Sequence, residues 1–197
     1  MRLFAAAFML FACWDGPALA QETHDKSFQG PSVTAIGGVD IGQWYDGAQA
    51  GALYGGQLGY DWQSNGLLLG VEGEAAAGPT PRHCITIYQV NGADDRACVK
   101  PKHDLYVGGR IGAVLGESTL FYAKAGYTNA RQIFDYRAGG SGSPSYVGSG
   151  TTNGFRLGAG VEKHLGEKMS LKTEYRYSNY EGSYSRHQAV IGLGFRF

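Results

Sequence analysis

Charged residues recur at every second position inside otherwise apolar stretches of this 197-residue chain. Between Asn153 and His164, Phe155, Leu157, Ala159 and Val161 share one parity, while Arg156, Gly158, Gly160 and Glu162 share the other. From Met169 to Ser178, Met169, Leu171, Thr173, Tyr175 and Tyr177 oppose Lys172, Glu174 and Arg176. Leu105, Val107, Ile111 and Ala113 likewise oppose Arg110 and Gly112. Successive side chains of a strand point to opposite faces, so each stretch has one apolar and one charged face. The charged faces collect Asp40, Glu72, Glu74, Arg110, Lys124, Arg156, Glu162, Lys172, Glu174, Arg176 and Arg196. Both signs on a narrow, glycine-rich face suit a crowded interior, where charges persist only when paired and hydrogen-bonded. A turn centred on Glu167 sets Glu162 across from Lys172 as an opposite-charge pair. One centred on Glu117 sets Arg110 across from Lys124, two like charges that need an acid from Glu72 or Glu74. Such a network can plug a lumen, or gate a narrow pore by exchanging partners.

Other reactive residues carry weaker chemistry. Cys84 and Cys98 read as a disulfide in an oxidising compartment, closing a loop of about 15 residues and worth roughly 3 kcal/mol. A zinc centre with His83 and His103 is the alternative, but the spacing fits no familiar ligand pattern, so no metal is expected. Ser185 and His187 share a strand face and are the one close nucleophile–histidine pair. They fall on the apolar, outward parity, and no acid on that face completes a triad, although Glu181 lies near in the loop. No catalytic residue is therefore expected. Heme or ligand binding through His83, His103 and loop tyrosines is equally unspecific, so no cofactor is expected. The Gly139–Gly142 stretch with Ser141, Ser143, Pro144 and Ser145 precedes a strand, not the helix a phosphate loop requires, and reads as a surface loop. Trp44, Trp62, Tyr127 and Tyr175–Tyr180 fit interfacial aromatic girdles.

Eight period-two segments would position these residues: Ser32–Trp44, Gly51–Trp62, Leu67–Ala76, Asp104–Leu115, Thr119–Arg131, Asn153–His164, Met169–Ser178 and Tyr184–Phe197. Short turns (Gln63–Gly66, Gly116–Ser118, Leu165–Lys168) alternate with connections at Tyr45–Ala50, Ala77–His103, Gln132–Thr152 and Asn179–Ser183, of which the second and third are long. This spacing predicts an all-β, eight-stranded antiparallel up-and-down barrel spanning a membrane. A soluble lipocalin-like barrel would turn the apolar face inward instead. Glycine, 32 of 197 residues, fits the crowding of a closed sheet. Formal charge is zero, which excludes an electrostatic case for nucleic acid. Arg2, an apolar run from Leu3 to Trp14 and Ala18-Leu19-Ala20 form the parts of a cleaved signal peptide. Lipoprotein processing at Cys13 competes, with Phe11 bulky for that motif. The expected organisation is 1–20 leader, 21–31 N-terminal periplasmic segment and 32–197 barrel.

The motifs Asn153-Gly154-Phe155-Arg156-Leu157-Gly158-Ala159-Gly160-Val161-Glu162 and Ser170-Leu171-Lys172-Thr173-Glu174-Tyr175-Arg176-Tyr177 resemble small outer-membrane β-barrel proteins of Gram-negative bacteria. So do Gly55–Trp62 and Gly70–Glu74. The relatives are the transmembrane domain of outer-membrane protein A and opacity-type surface proteins. In the last strand, Leu193, Phe195 and the terminal Phe197 resemble the signal by which such barrels are recognised for insertion. The resemblance implies the outer membrane, its lipid, the barrel assembly machinery and a monomer. With the barrel as its last segment, the chain is expected to lack the peptidoglycan-binding domain attached to some relatives. Its expected role is structural or surface-interactive, with an extracellular ligand met through the loops. A low-conductance porin and an enzyme acting on lipid A are the rival roles.

Overall fold

The computed structural model describes residues 27–44, 47–78, 83–88, 92–139, 144–182 and 184–197. The expected leader with its Cys13, most of the segment 21–31, the side chain of Trp44 and the Gly-rich stretch at 140–143 lie outside the described residues. Among those described, the strands are β1 (Gly30–Trp44), β2 (Gly47–Ser64), β3 (Leu67–Ala77), β4 (His83–Ile87), β5 (Asp95–Leu115), β6 (Thr119–Arg137), β7 (Tyr146–His164), β8 (Met169–Tyr180) and β9 (Tyr184–Arg196).

Eight of them close a ring. The sheet runs β3-β2-β1-β9-β8-β7-β6-β5, and β3 pairs with β5 to seal it, every pairing antiparallel. The last strand lies against the first from Ser32↔Arg196 to Gln43↔Ser185. The tight turn at Asn65-Gly66 has φ of 49° and 76°, as a two-residue hairpin with both central residues left-handed requires.

Alternation decides the inside from the outside. Leu58 and Val107 are 65% and 62% exposed, whereas Asp61 and Arg176 are 0% exposed. Leaving one such apolar side chain in water forgoes roughly 1.5–3 kcal/mol, and dozens point outward. The surrounding solvent is therefore lipid, and the lipocalin-like arrangement fails. Charges fill the interior. Apolar side chains contribute three small patches there, including Phe28, Leu68, Leu120 and Tyr122 near the short-turn end.

The long connections differ from their expected form. Much of Ala77–His103 is strand: β4 pairs with an outer half of β5 that starts at Asp95. A register shift between Pro101 and His103 breaks the period-two pattern there, which hides the upper half of β5 from an alternation reading. The Gln132–Thr152 stretch is also mostly strand, because β6 runs to Arg137 and β7 begins at Tyr146. Above the lipid there is no apolar solvent to select greasy residues. Gly148, Ser149, Gly150 and Thr151 stay extended without an apolar parity. The first connection is shorter than Tyr45–Ala50, since β2 already starts at Gly47.

Candidate functional site: the charged lumen

All eleven inward charges expected from the alternation are buried inside the ring. The structure adds Asp61, Asp104 and Arg186. Among the described residues the lumen then holds seven bases (Arg110, Lys124, Arg156, Lys172, Arg176, Arg186, Arg196) and seven acids (Asp40, Asp61, Glu72, Glu74, Asp104, Glu162, Glu174). Its formal charge is zero, as burial in a low dielectric demands.

Near the short turns, two guanidiniums alternate with two carboxylates. Arg110 meets Asp61 at 2.5 Å and Glu162 at 3.0 Å, and Arg196 meets the same pair at 2.9 and 3.4 Å. Phe28 forms the floor: Arg196 donates to its carbonyl at 2.6 Å, and its own amide donates to Gln63 Oε1 at 2.9 Å. At mid-height Lys124 lies 2.5 Å from Glu72 and 2.8 Å from Glu174. Glu74 accepts from Arg176 at 2.7 Å and from Arg156 at 3.0 Å. Arg176 also pairs with Glu174, and the Tyr122 hydroxyl donates to Glu174 at 2.6 Å. In the upper layer Arg156 and Arg186 converge on Asp104, which also accepts from Thr128 and Tyr180. Asp40 holds the other side of Arg186 at 2.5 Å. Tyr106 lies between the layers, with Lys124 and Arg156 4.7 and 5.0 Å from its ring centre.

The expected pairings hold in register and shift in chemistry. Glu162 faces Lys172 across β7 and β8, yet its carboxylate turns to the two arginines and Ser170. Lys172 donates instead to the side-chain oxygen of Gln57. A guanidinium satisfies a carboxylate through a planar fork, which an ammonium cannot match. Arg110 does lie across from Lys124. Glu72 serves the lysine, as expected, but Asp61 serves the arginine. The signal for the missed residues was present. Asp61 shares the inward parity of Gln57, and Arg186 falls between the outward Ser185 and His187. The gap among Gln57, Glu72, Arg110, Glu162 and Lys172 measures ≈ 10 Å³, room for about one water.

The other candidates stay apart from the lumen. Cys84 and Cys98 face each other across β4 and β5 and are joined as a disulfide, so neither thiolate is free for zinc. His83 and His103 bracket that hairpin on separate strands. His187 points outward, but its Nδ1 meets the Tyr175 hydroxyl at 2.7 Å, and its ring lies 5.1 Å from that of Tyr177. No hydrogen bond joins it to Ser185 among the described residues, and Glu181 is bound through its amide to the Asn153 carbonyl. Leu193 and Phe195 face outward at the end of β9 and Phe197 follows it, the two phenylalanine rings 5.1 Å apart.

Comparison with known proteins gives the same architecture. The family model described as outer membrane protein beta-barrel domain matches residues 4–197. The 31 kDa outer-membrane immunogenic protein of Brucella melitensis is 27% identical over 168 residues, which cover 75% of this chain and 68% of that protein. Neisserial surface protein A shares the fold with a TM-score of 0.58 at 16% identity, over 86% of this chain and 98% of that one. Ail, the attachment invasion locus protein of Yersinia pestis, was solved with the heparin analogue sucrose octasulfate. It matches with a TM-score of 0.51 at 19% identity, over 86% of this chain and all of that one. With a closed ring, a lipid-facing exterior and a family match over nearly its whole length, the chain belongs to the outer-membrane protein β-barrel family and resides in the outer membrane.

Proposed function

We propose that the chain is a surface-interaction protein: a sealed barrel that carries a rigid β-sheet beyond the membrane to meet an extracellular ligand. The reading rests on the length of β5, β6 and β7, at 21, 19 and 19 residues. A membrane needs only about 9–11 residues per tilted strand, so these continue well above the lipid. A purely structural barrel has no use for such a sheet. The extension is stiffened by the Cys84–Cys98 disulfide. It is also stiffened by Asp95, which accepts from the Tyr136 hydroxyl and the Gly139 amide, both at 2.7 Å. It presents large exposed side chains, among them Tyr88 at 82% and Val147 at 72%. An exposed tyrosine is an efficient contact for a partner.

The lumen network acts as a plug in this reading, and no reaction is assigned to the chain. Leu193, Phe195 and Phe197 act as the insertion signal, and the barrel works as a monomer. Ail carries a sulfated-sugar ligand, and an anionic glycan is accordingly one class to test for this chain.

The test compares Gram-negative cells displaying the full chain with cells displaying a barrel whose extension (83–101 and 132–150) is replaced by tight turns. Adhesion to immobilised glycoproteins and sulfated glycans is the measurement. Adhesion by the full chain and its loss with the extension is the expected result. Equal adhesion by both, or none by either, contradicts the proposal.

A further inference from the structure

The outer wall of the barrel is layered. On β5, Leu105, Val107, Ile111, Ala113 and Leu115 face outward. Leu105 to Leu115 is ten residue steps, about 34 Å along the strand at ~3.4 Å each, or roughly 25 Å of height at the usual tilt. That is the thickness of the apolar band of an outer-membrane barrel. At its upper edge Tyr127 lies across from Val107 and Asn129 across from Leu105, and both donate to Asn153 Oδ1 on β7, at 2.6 and 2.7 Å. These polar side chains mark where hydrocarbon gives way to headgroups.

One step higher, the bulge at Pro101–His103 places two consecutive side chains, Lys102 and His103, on the outer face. Lys100 shares that face and Arg131 sits directly across from His103, all four exposed. Arg131 is steered by a 3.2 Å hydrogen bond from its Nη2 to Ser149 Oγ. The acids of this wall are engaged elsewhere: Asp104 in the lumen, Asp95 with Tyr136, and Asp135 with Arg137 at 3.5 Å. No carboxylate forms an ion pair with Lys100, Lys102 or Arg131 among the described residues. Uncompensated positive charge gathered at one height on a membrane-facing wall calls for an anionic partner at that height. The cluster lies two residues above the Leu105–Asn129 boundary on the outward face, the height of headgroups.

We infer that Lys100, Lys102 and Arg131 form a docking site for the phosphate groups of an outer-leaflet glycolipid of the lipid A class. The lipid's acyl chains lie along Leu105, Val107 and Phe155, and its phosphates take the three cations.

The full chain, purified in detergent micelles, is titrated with diphosphoryl lipid A and with the same lipid stripped of phosphate, and bound lipid is read by native mass spectrometry. The expected result is a roughly tenfold preference for the phosphorylated lipid, the scale of one or two charge-assisted hydrogen bonds. Combining Lys100→Gln, Lys102→Gln and Arg131→Gln should abolish that preference. Arg96→Gln with Arg137→Gln, higher on the same sheet, should leave it intact. Equal binding of both lipids by the unaltered chain overturns the proposal, as does a triple variant that keeps the preference. Binding of a heparin oligosaccharide through the cluster with no lipid preference also overturns it, because the site then serves a soluble polyanion. The comparison of the two lipids uses the unaltered chain, so it stands even if the triple variant fails to fold. The extension swap removes Lys100 and Ser149 as well, so this site is judged only by the lipid comparison on the unaltered chain and by the point variants.

Discussion

At the residue scale, the lumen is governed by shared partners. Glu74 receives Arg156 and Arg176, and lies 4.0 Å from Lys124. Removing one member of a buried ionic group leaves the others uncompensated, at a cost of about 3–5 kcal/mol. Glu74→Ala should therefore destabilise the folded barrel by that amount in urea unfolding from micelles; a change near zero would mean that the lumen is hydrated. Glycine provides a matched test. A Cβ on Gly112 would sit 2.5 Å from the Phe121 carbonyl oxygen, whereas one on Gly148 meets nothing within 4 Å. Gly112→Ala should cost about 1–3 kcal/mol and Gly148→Ala little, measured in the same way. Eleven of the fourteen charges were legible in the sequence, all but Asp61, Asp104 and Arg186, because a period-two pattern sorts faces without any knowledge of partners. Their pairing was not. Arg156 and Glu74 are 82 positions apart, and Arg186 and Asp40 are 146 apart. Only closure of the ring brings such residues together, and closure fixes stagger as well as parity.

At the element scale, the strands obey two solvents in turn. Inside the membrane the apolar parity announces each strand, and all eight ring strands were readable with the three short turns between them. Above it, the same backbone continues with Gly, Ser and Thr, and the sequence signal ends before the strand does. The Pro101–His103 bulge compounds this by shifting the phase of β5. The disulfide ties β4, a strand with only five residues, to that upper segment. Its contribution of roughly 3 kcal/mol is local, since among the described strands β4 pairs with β5 alone. Reduction, or Cys84→Ser with Cys98→Ser, should expose residues near 83–98 to protease while the barrel core remains resistant. Simultaneous cleavage of the barrel would contradict that independence.

At the scale of the whole molecule, the fold is inverted relative to a soluble protein: charge inside, apolar surface outside. Ile111 lies near the middle of the outward band on β5 and is more than half exposed. Ile111→Arg should destabilise insertion by about 2–4 kcal/mol, as charged residues do at the bilayer midplane. Reversible folding into vesicles measures it, and an unchanged free energy would place that face in water.

The central claim is that seven bases and seven acids seal the lumen between a Phe28 floor and a roof where Tyr180 and Tyr184 stack at 5.2 Å. Single-channel recording of the purified chain in a planar bilayer tests it most directly. The account predicts a silent membrane for the unaltered chain and discrete current steps once Glu74, Arg156 and Arg176 are all replaced by alanine. Ohmic steps from the unaltered chain would contradict it.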